Sequence, residues 1–329
     1  MESKTETDLR RRSILLRGPA GMRLVTLADG PASGARLVQV RTPQGLSADI
    51  ALDRGGDLHG LAWRGTEIGW RSAADGVTPW PVLDVEEGLG FLRGFDGFLV
   101  TCGLDHHGVT TTTPADQFNY PLRKRNHHPL HGRIMTSRAE LVEKRIDWDA
   151  GEMRLRLILR QASVFAEVLE LERLWTFSLE SPEIRLEDRV INRGFRPTRH
   201  GILYHFNFGH PFLAEDLRVN APAWPPAAVL SGDSIHPTDD HVEAVDVAPS
   251  PADGRIHIDN PGLGFGLELE FDPLRLPATA LWRAFQSGTF ALGIEPQTSF
   301  ADTETATLAS QEDRLYRLKI AVVDAEKAI

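Results

Sequence analysis

The sequence predicts a mainly β protein folded as one large domain. Period-two alternation of apolar and charged residues recurs along the 329 residues, the mark of half-buried strands. Long helical periodicity is hard to find. Gly/Pro turns separate the apolar runs, and no linker, internal repeat or low-complexity stretch divides the chain.

In chain order, residues 1–12 (MESKTETDLRRR) are charged at both ends and are expected to form a mobile arm, leaving one domain over 13–329. The cluster Ile14-Leu15-Leu16 is far short of a signal-peptide core. RAELVEKRIDWD (138–149) fits either a helix or a strand. In MRLRLILR, Met153, Leu155, Leu157 and Leu159 point one way while Arg154, Arg156 and Arg160 point the other. Ile184, Leu186 and Val190 alternate with Arg185, Glu187 and Arg189, and Asn192-Arg193-Gly194 supplies a turn. Near the C-terminus, Tyr316, Leu318, Ile320 and Val322 alternate with Arg317 and Lys319. Ten of the 21 prolines fall between Pro211 and Pro277. That stretch reads as long loops on the same domain, the kind that edge a ligand cleft.

Composition narrows the function. Asp and Glu outnumber Lys and Arg by 46 to 36, a net charge of −10, which argues against nucleic acid as partner. No run of eighteen apolar residues exists to span a membrane. Cys102 is the sole cysteine, so no disulfide forms within the chain, and a cytoplasmic location is expected. Nucleotide signatures are missing: there is no Walker-type loop, and GLGFLRG (88–94) has the wrong spacing for a dinucleotide turn. No Gly-x-Ser-x-Gly elbow appears either.

Histidines are the conspicuous feature. His106-His107 follow TCGLD, and NHHPLHGRI carries His127, His128 and His131. Metal ligation is one reading of such a group. However, Pro129 breaks any helix that would align positions 127 and 131, and neither His-Glu-x-x-His nor a cysteine pair is present. Solvated or hydrogen-bonding histidines are the expectation, with no metal. LYHFNFGHP (203–211) then places His205 and Asn207 inside an otherwise apolar strand, where an imidazole needs a partner or a task. FALGIEPQ places Glu295 at the end of another buried strand. A carboxylate there either pairs with an arginine such as Arg283 or is employed in chemistry.

Three segments in this order, PLHGRI, LYHFNFGHP and LGIEPQ, resemble the aldose 1-epimerase (galactose mutarotase) superfamily. The stretch IRLEDRVINRGFRPT supports it, and the likeness spans roughly residues 45–323. GFLVTCGLDHHG together with PLHGRI suggests a less characterised aldose epimerase-like branch. The resemblance implies an antiparallel β-sandwich of the mutarotase-like supersandwich type. It also implies His205 as general acid, Glu295 as general base and His131 as second active-site histidine. Asn207 and Gln297 are expected to contact the sugar. The family's Asn-Arg-Ile has no clear counterpart, and Arg93 in FLRGFDGF is the candidate for its arginine. The usual His-x-Tyr-Phe-Asn becomes His205-Phe206-Asn207-Phe208-Gly209.

The implied chemistry suits these residue types. Opening a cyclic hemiacetal removes the proton of the anomeric hydroxyl and protonates the ring oxygen. On this expectation Glu295 is a carboxylate, His205 an imidazolium, and no cofactor takes part. The partner is a small carbohydrate, with a free sugar favoured over a phosphorylated one because no basic cluster is visible. The rival readings are a carbohydrate-binding or sensing protein on the same fold and a metal-dependent sugar isomerase using the 106–131 histidines.

Overall fold

The computed structural model describes residues 6–14, 20–74, 76–77, 83–115, 124–220, 235–240, 243–299 and 306–325. Three antiparallel sheets dominate. The first has five strands from residues 21 to 67 in sequential order. The second has eight, running Arg218–Asn220, Arg255–Asn260, Phe265–Phe271, Asp313–Asp324, Glu183–Asn192, Val168–Ser178, Glu152–Ala162, Glu140–Asp147. The third has five, in the order Glu243–Pro249, Ala278–Ala284, Ala291–Gln297, Leu203–Phe208, Leu99–Cys102. This is a mainly β architecture of antiparallel sheets.

The alternating segments form strands with the predicted faces. Met153, Leu155, Leu157 and Leu159 are at most 1% exposed, and each such side chain contributes about 1.5–3 kcal/mol on burial. The ambiguous segment is a strand, Glu140–Asp147, paired with Glu152–Ala162. Where a mobile arm is expected, Glu6–Arg12 form a helix, and Asp149 accepts a hydrogen bond from the Glu6 amide at 3.2 Å. Of the Pro-rich stretch, residues 221–234 and 241–242 lie outside the described residues. No described helix is long and apolar enough to cross a membrane.

The third sheet has two different faces. Tyr204, Phe206, Phe208, Leu281 and Ile294 point into the main core, together with Trp175, Leu186 and Ile320 of the eight-stranded sheet. Leu203, Val100, Cys102, Ala291 and Trp282 belong to a separate, smaller cluster with Trp70, Phe91 and Phe95. The side chains of that second face floor a cavity.

Candidate active site

Register brings the central pair together. Leu203 pairs with Gln297 and Phe206 with Ile294, so His205 stands directly across from Glu295. Residues opposite one another in adjacent strands share a face. His205 Nε2 lies 3.2 Å from Glu295 Oε1, and both residues are buried. Gly293 makes room for the imidazole: a Cβ there would stand 2.8 Å from His205 Cε1. Asn207, next along the same face, donates to the Gly97 and His205 carbonyls at 2.9 and 3.2 Å.

His131 arrives from a different segment. It has φ +59, a left-handed conformation uncommon for a side-chain-bearing residue. Its amide donates to Gly108 O at 2.7 Å, and its carbonyl accepts from the Gly103 amide at 3.0 Å. The next residue, Gly132, has φ +74, and a Cβ on it would stand 2.2 Å from the His106 carbonyl oxygen. This tight crossing sets the His131 ring 5.6 Å from that of His205, nearly edge-on.

These three residues line one cavity of about 810 Å³ together with Gln297, His107, Ser299, Trp70, Phe95 and Trp282 among others. That volume suits a small-molecule ligand. A larger concavity of about 1,100 Å³ lies over the N-terminal sheet, around Asp49, Glu67, Arg71 and Lys144, and contains none of the three.

Electrostatics correct one expectation. Burial pushes the Glu295 carboxyl up to about 8. Burial also drives His205 down to about 3, outweighing a side-chain interaction with Asn207. Burial thus favours a protonated carboxyl beside a neutral imidazole, and works against the ionised pair expected from sequence. Low dielectric disfavours both charged forms, and the described cavity-lining residues include no arginine or lysine to offset it on the carboxyl. His131 is held well below its ordinary value by burial, then by His205 and His106.

Two of the expected sugar contacts sit elsewhere. Arg93 ends a 3-10 turn, Gly90–Arg93, with a half-exposed side chain paired to Glu86, and it is not among the cavity-lining residues. Asn207 is fully buried with its amide donating to backbone, and it is likewise absent from the lining. Gln297 does line the cavity. Glu295 does not pair with Arg283, which instead bonds Asp246.

The remaining histidines divide. His107 faces the cavity, its Nε2 3.2 Å from the Thr298 and Ser299 hydroxyls, and burial lowers it to about 3. His127 and His128 line a separate polar pocket of about 430 Å³, where His128 Nδ1 is 2.9 Å from Asp105 Oδ2. Among the described residues, no three His, Cys, Asp or Glu side chains converge as a metal-ligand set. The sequence singled out His107 within the histidine group without assigning it to the site of His205 and Glu295. Its one signal was the His-His pair itself, since adjacent residues of an extended chain face opposite ways.

The fold recurs in solved structures. One described as a putative aldose 1-epimerase from Klebsiella pneumoniae superposes with a TM-score of 0.80 at 24% identity, covering 92% of this chain and 83% of that one. A galactose mutarotase-like protein from Clostridium acetobutylicum matches with a TM-score of 0.64 at 15% identity, covering 93% and 99%. A galactose 1-epimerase from Lactobacillus acidophilus NCFM gives 0.59 at 13% identity, covering 93% and 100%. At such identities the likeness establishes the fold, which is galactose mutarotase-like. No curated protein matches the chain. One family model spans residues 32–322. The chain belongs to that family, described as a domain of unknown function, DUF4432.

Proposed function

We propose that the protein is an aldose 1-epimerase-like isomerase that interconverts the α and β anomers of a free sugar. The observation that carries this reading is the His205–Glu295 pair, 3.2 Å apart on the floor of a sugar-sized cavity. A binding site has no need of two facing acid–base groups, whereas ring opening needs one donor and one acceptor at once.

The pair holds one proton between its two members, and it titrates as a unit. With the sugar in place, that proton moves from Glu295 to His205 Nε2 and leaves a carboxylate and an imidazolium. Hydroxyls of the sugar solvate the charges that burial otherwise disfavours. Glu295 then takes the proton of the anomeric hydroxyl while His205 gives its own to the ring oxygen, and the C1–O5 bond breaks. Rotation about C1–C2 presents the other face of the aldehyde. Closure with the transfers reversed yields the other anomer and restores the pair. His131, with its ring edge-on to His205, holds the ring oxygen in place, and Gln297 bonds a sugar hydroxyl. His107 borders the same site.

Anomer exchange followed by saturation-transfer NMR, with the spontaneous rate subtracted, tests the reading across common pentoses, hexoses and deoxysugars. At least one sugar should exchange well above the spontaneous rate. Sugars that bind yet never exceed it would mark a sensor instead.

A further inference from the structure

The cavity around the pair has two chemically different ends. Along the two floor strands the inward residues run from Leu203 and Gln297, through His205 and Glu295, to Asn207 and Gly293. At the Gln297 end the neighbours are polar, with His107 hydrogen-bonding Ser299. At the Gly293 end the opposite residue on the next strand is Trp282. Trp282 joins Phe95, Trp70 and Phe91 in one continuous aromatic wall, with ring centroids 4.9 to 5.8 Å apart. Phe95 and Trp282 stand 4.9 and 5.4 Å from the His205 ring, so this wall touches the reacting pair directly.

The wall has little to offer a hydroxyl. Trp70 Nε1 is committed to the Thr289 carbonyl at 2.7 Å, and Trp282 Nε1 to Glu243 at 3.1 Å. Val245, across from Trp282 on the edge strand, extends the apolar surface. The polar residues that line the cavity besides those of the Gln297 end include Glu243, which accepts the Trp282 indole N–H, and Gln286, whose buried Oε1 has no hydrogen-bond partner within the protein. None of the described lining residues is an arginine or lysine. A hydroxymethyl group pressed on such a surface loses its water partners without replacement, whereas a methyl group gains by leaving water.

We propose that the substrate is a 6-deoxyaldose, its C5 methyl seated against Trp282 and Phe95 while its ring hydroxyls bond at the Gln297 end. This rests on the reading that His205 and Glu295 open a sugar ring, and it adds which sugar.

The test uses the wild-type protein and sugar triplets that differ only in the C5 substituent. L-Arabinose, D-fucose and D-galactose carry hydrogen, methyl and hydroxymethyl on one ring configuration. D-Xylose, 6-deoxy-D-glucose and D-glucose form a second triplet, D-lyxose, D-rhamnose and D-mannose a third, and the mirror images three more. In the triplet the protein accelerates best, kcat/KM for the methyl sugar should exceed that for the hydroxymethyl sugar by about 10- to 100-fold, the range an apolar pocket can discriminate. The hydrogen member should also fall below the methyl one. Equal rates, or a preference for hydroxymethyl, would overturn the deoxysugar assignment while leaving anomer interconversion standing. No acceleration in any triplet would overturn both.

Discussion

Tyr204 and His205 are neighbours on one strand, yet they enter opposite kinds of buried polar surroundings. Tyr204 points into the main core, where its hydroxyl donates to Asp188 Oδ2 at 2.9 Å. Asp188 in turn binds Arg173, which is fully buried and donates five hydrogen bonds of 2.6 to 2.9 Å to both Asp188 oxygens, Asp57, Thr101 and the Gly55 carbonyl. Every guanidinium hydrogen is used. Arg173 is accordingly held above its ordinary value, its carboxylate partners outweighing burial. On the His205 side the opposite holds: Nδ1 of His131 and of His107 are buried with no hydrogen-bond partner. Burial there is uncompensated, so it pushes His205 and Glu295 toward their neutral forms. A satisfied network fixes the strand. The unsatisfied face beside it is what remains free to exchange a proton with a ligand.

The two sides should respond differently to substitution. Arg173→Met leaves Asp57 and Asp188 buried without their cation, and it should cost about 3–5 kcal/mol of stability, read from the denaturant midpoint. A loss below about 1 kcal/mol would show that the two carboxylates find other partners.

A pH dependence sharpens the contrast. Glu295 is raised from 4.5 to about 8 in the folded protein. Its stabilising contribution is complete below the ordinary carboxylate range and is lost as pH rises through about 8. Wild-type protein should therefore lose stability between about pH 4.5 and about pH 8 that Glu295→Gln keeps. Over the same range kcat/KM, which reports the free enzyme, should hold steady to about pH 8 and then fall about tenfold per pH unit. A fall beginning near pH 6.5 would instead indicate an ordinary, solvated histidine as the acid.

The smallest effect is expected outside both regions. Arg93 is exposed and paired with Glu86, so Arg93→Ala should leave kcat/KM within about twofold. A large rise in KM would return Arg93 to the sugar.

Much of this was legible beforehand, for physical reasons. Strand alternation in MRLRLILR and RLYRLKIAVVD depends on a two-residue period that tertiary context cannot shift without exposing the core. His205 and Glu295 stood out because each is an ionisable group inside an apolar run. Arg93 was misplaced because a four-residue 3-10 turn has no period from which to read a face; Phe91 took the inward position and Arg93 the outward one. Asn207 lies on the predicted face, but its amide is spent on the backbone of its own sheet and of the Gly97 turn. The aromatic wall was invisible because Trp70, Phe91, Phe95 and Trp282 come from separated segments that meet only in the fold. The protonation state was hidden for a related reason: sequence names the pair, while its surroundings decide where the proton sits.

The central claim is that His205 and Glu295 act together in one proton-transfer event. It is tested most directly by anomer exchange in wild type, Glu295→Gln, His205→Asn and the double variant, on the sugar the wild type accelerates best. Each single variant should fold, bind the sugar and lose about 10²-fold or more in exchange rate. The double variant should be little worse than either single one, because groups serving one step are not additive. Single variants that keep full activity, or losses that multiply in the double variant, would contradict the account.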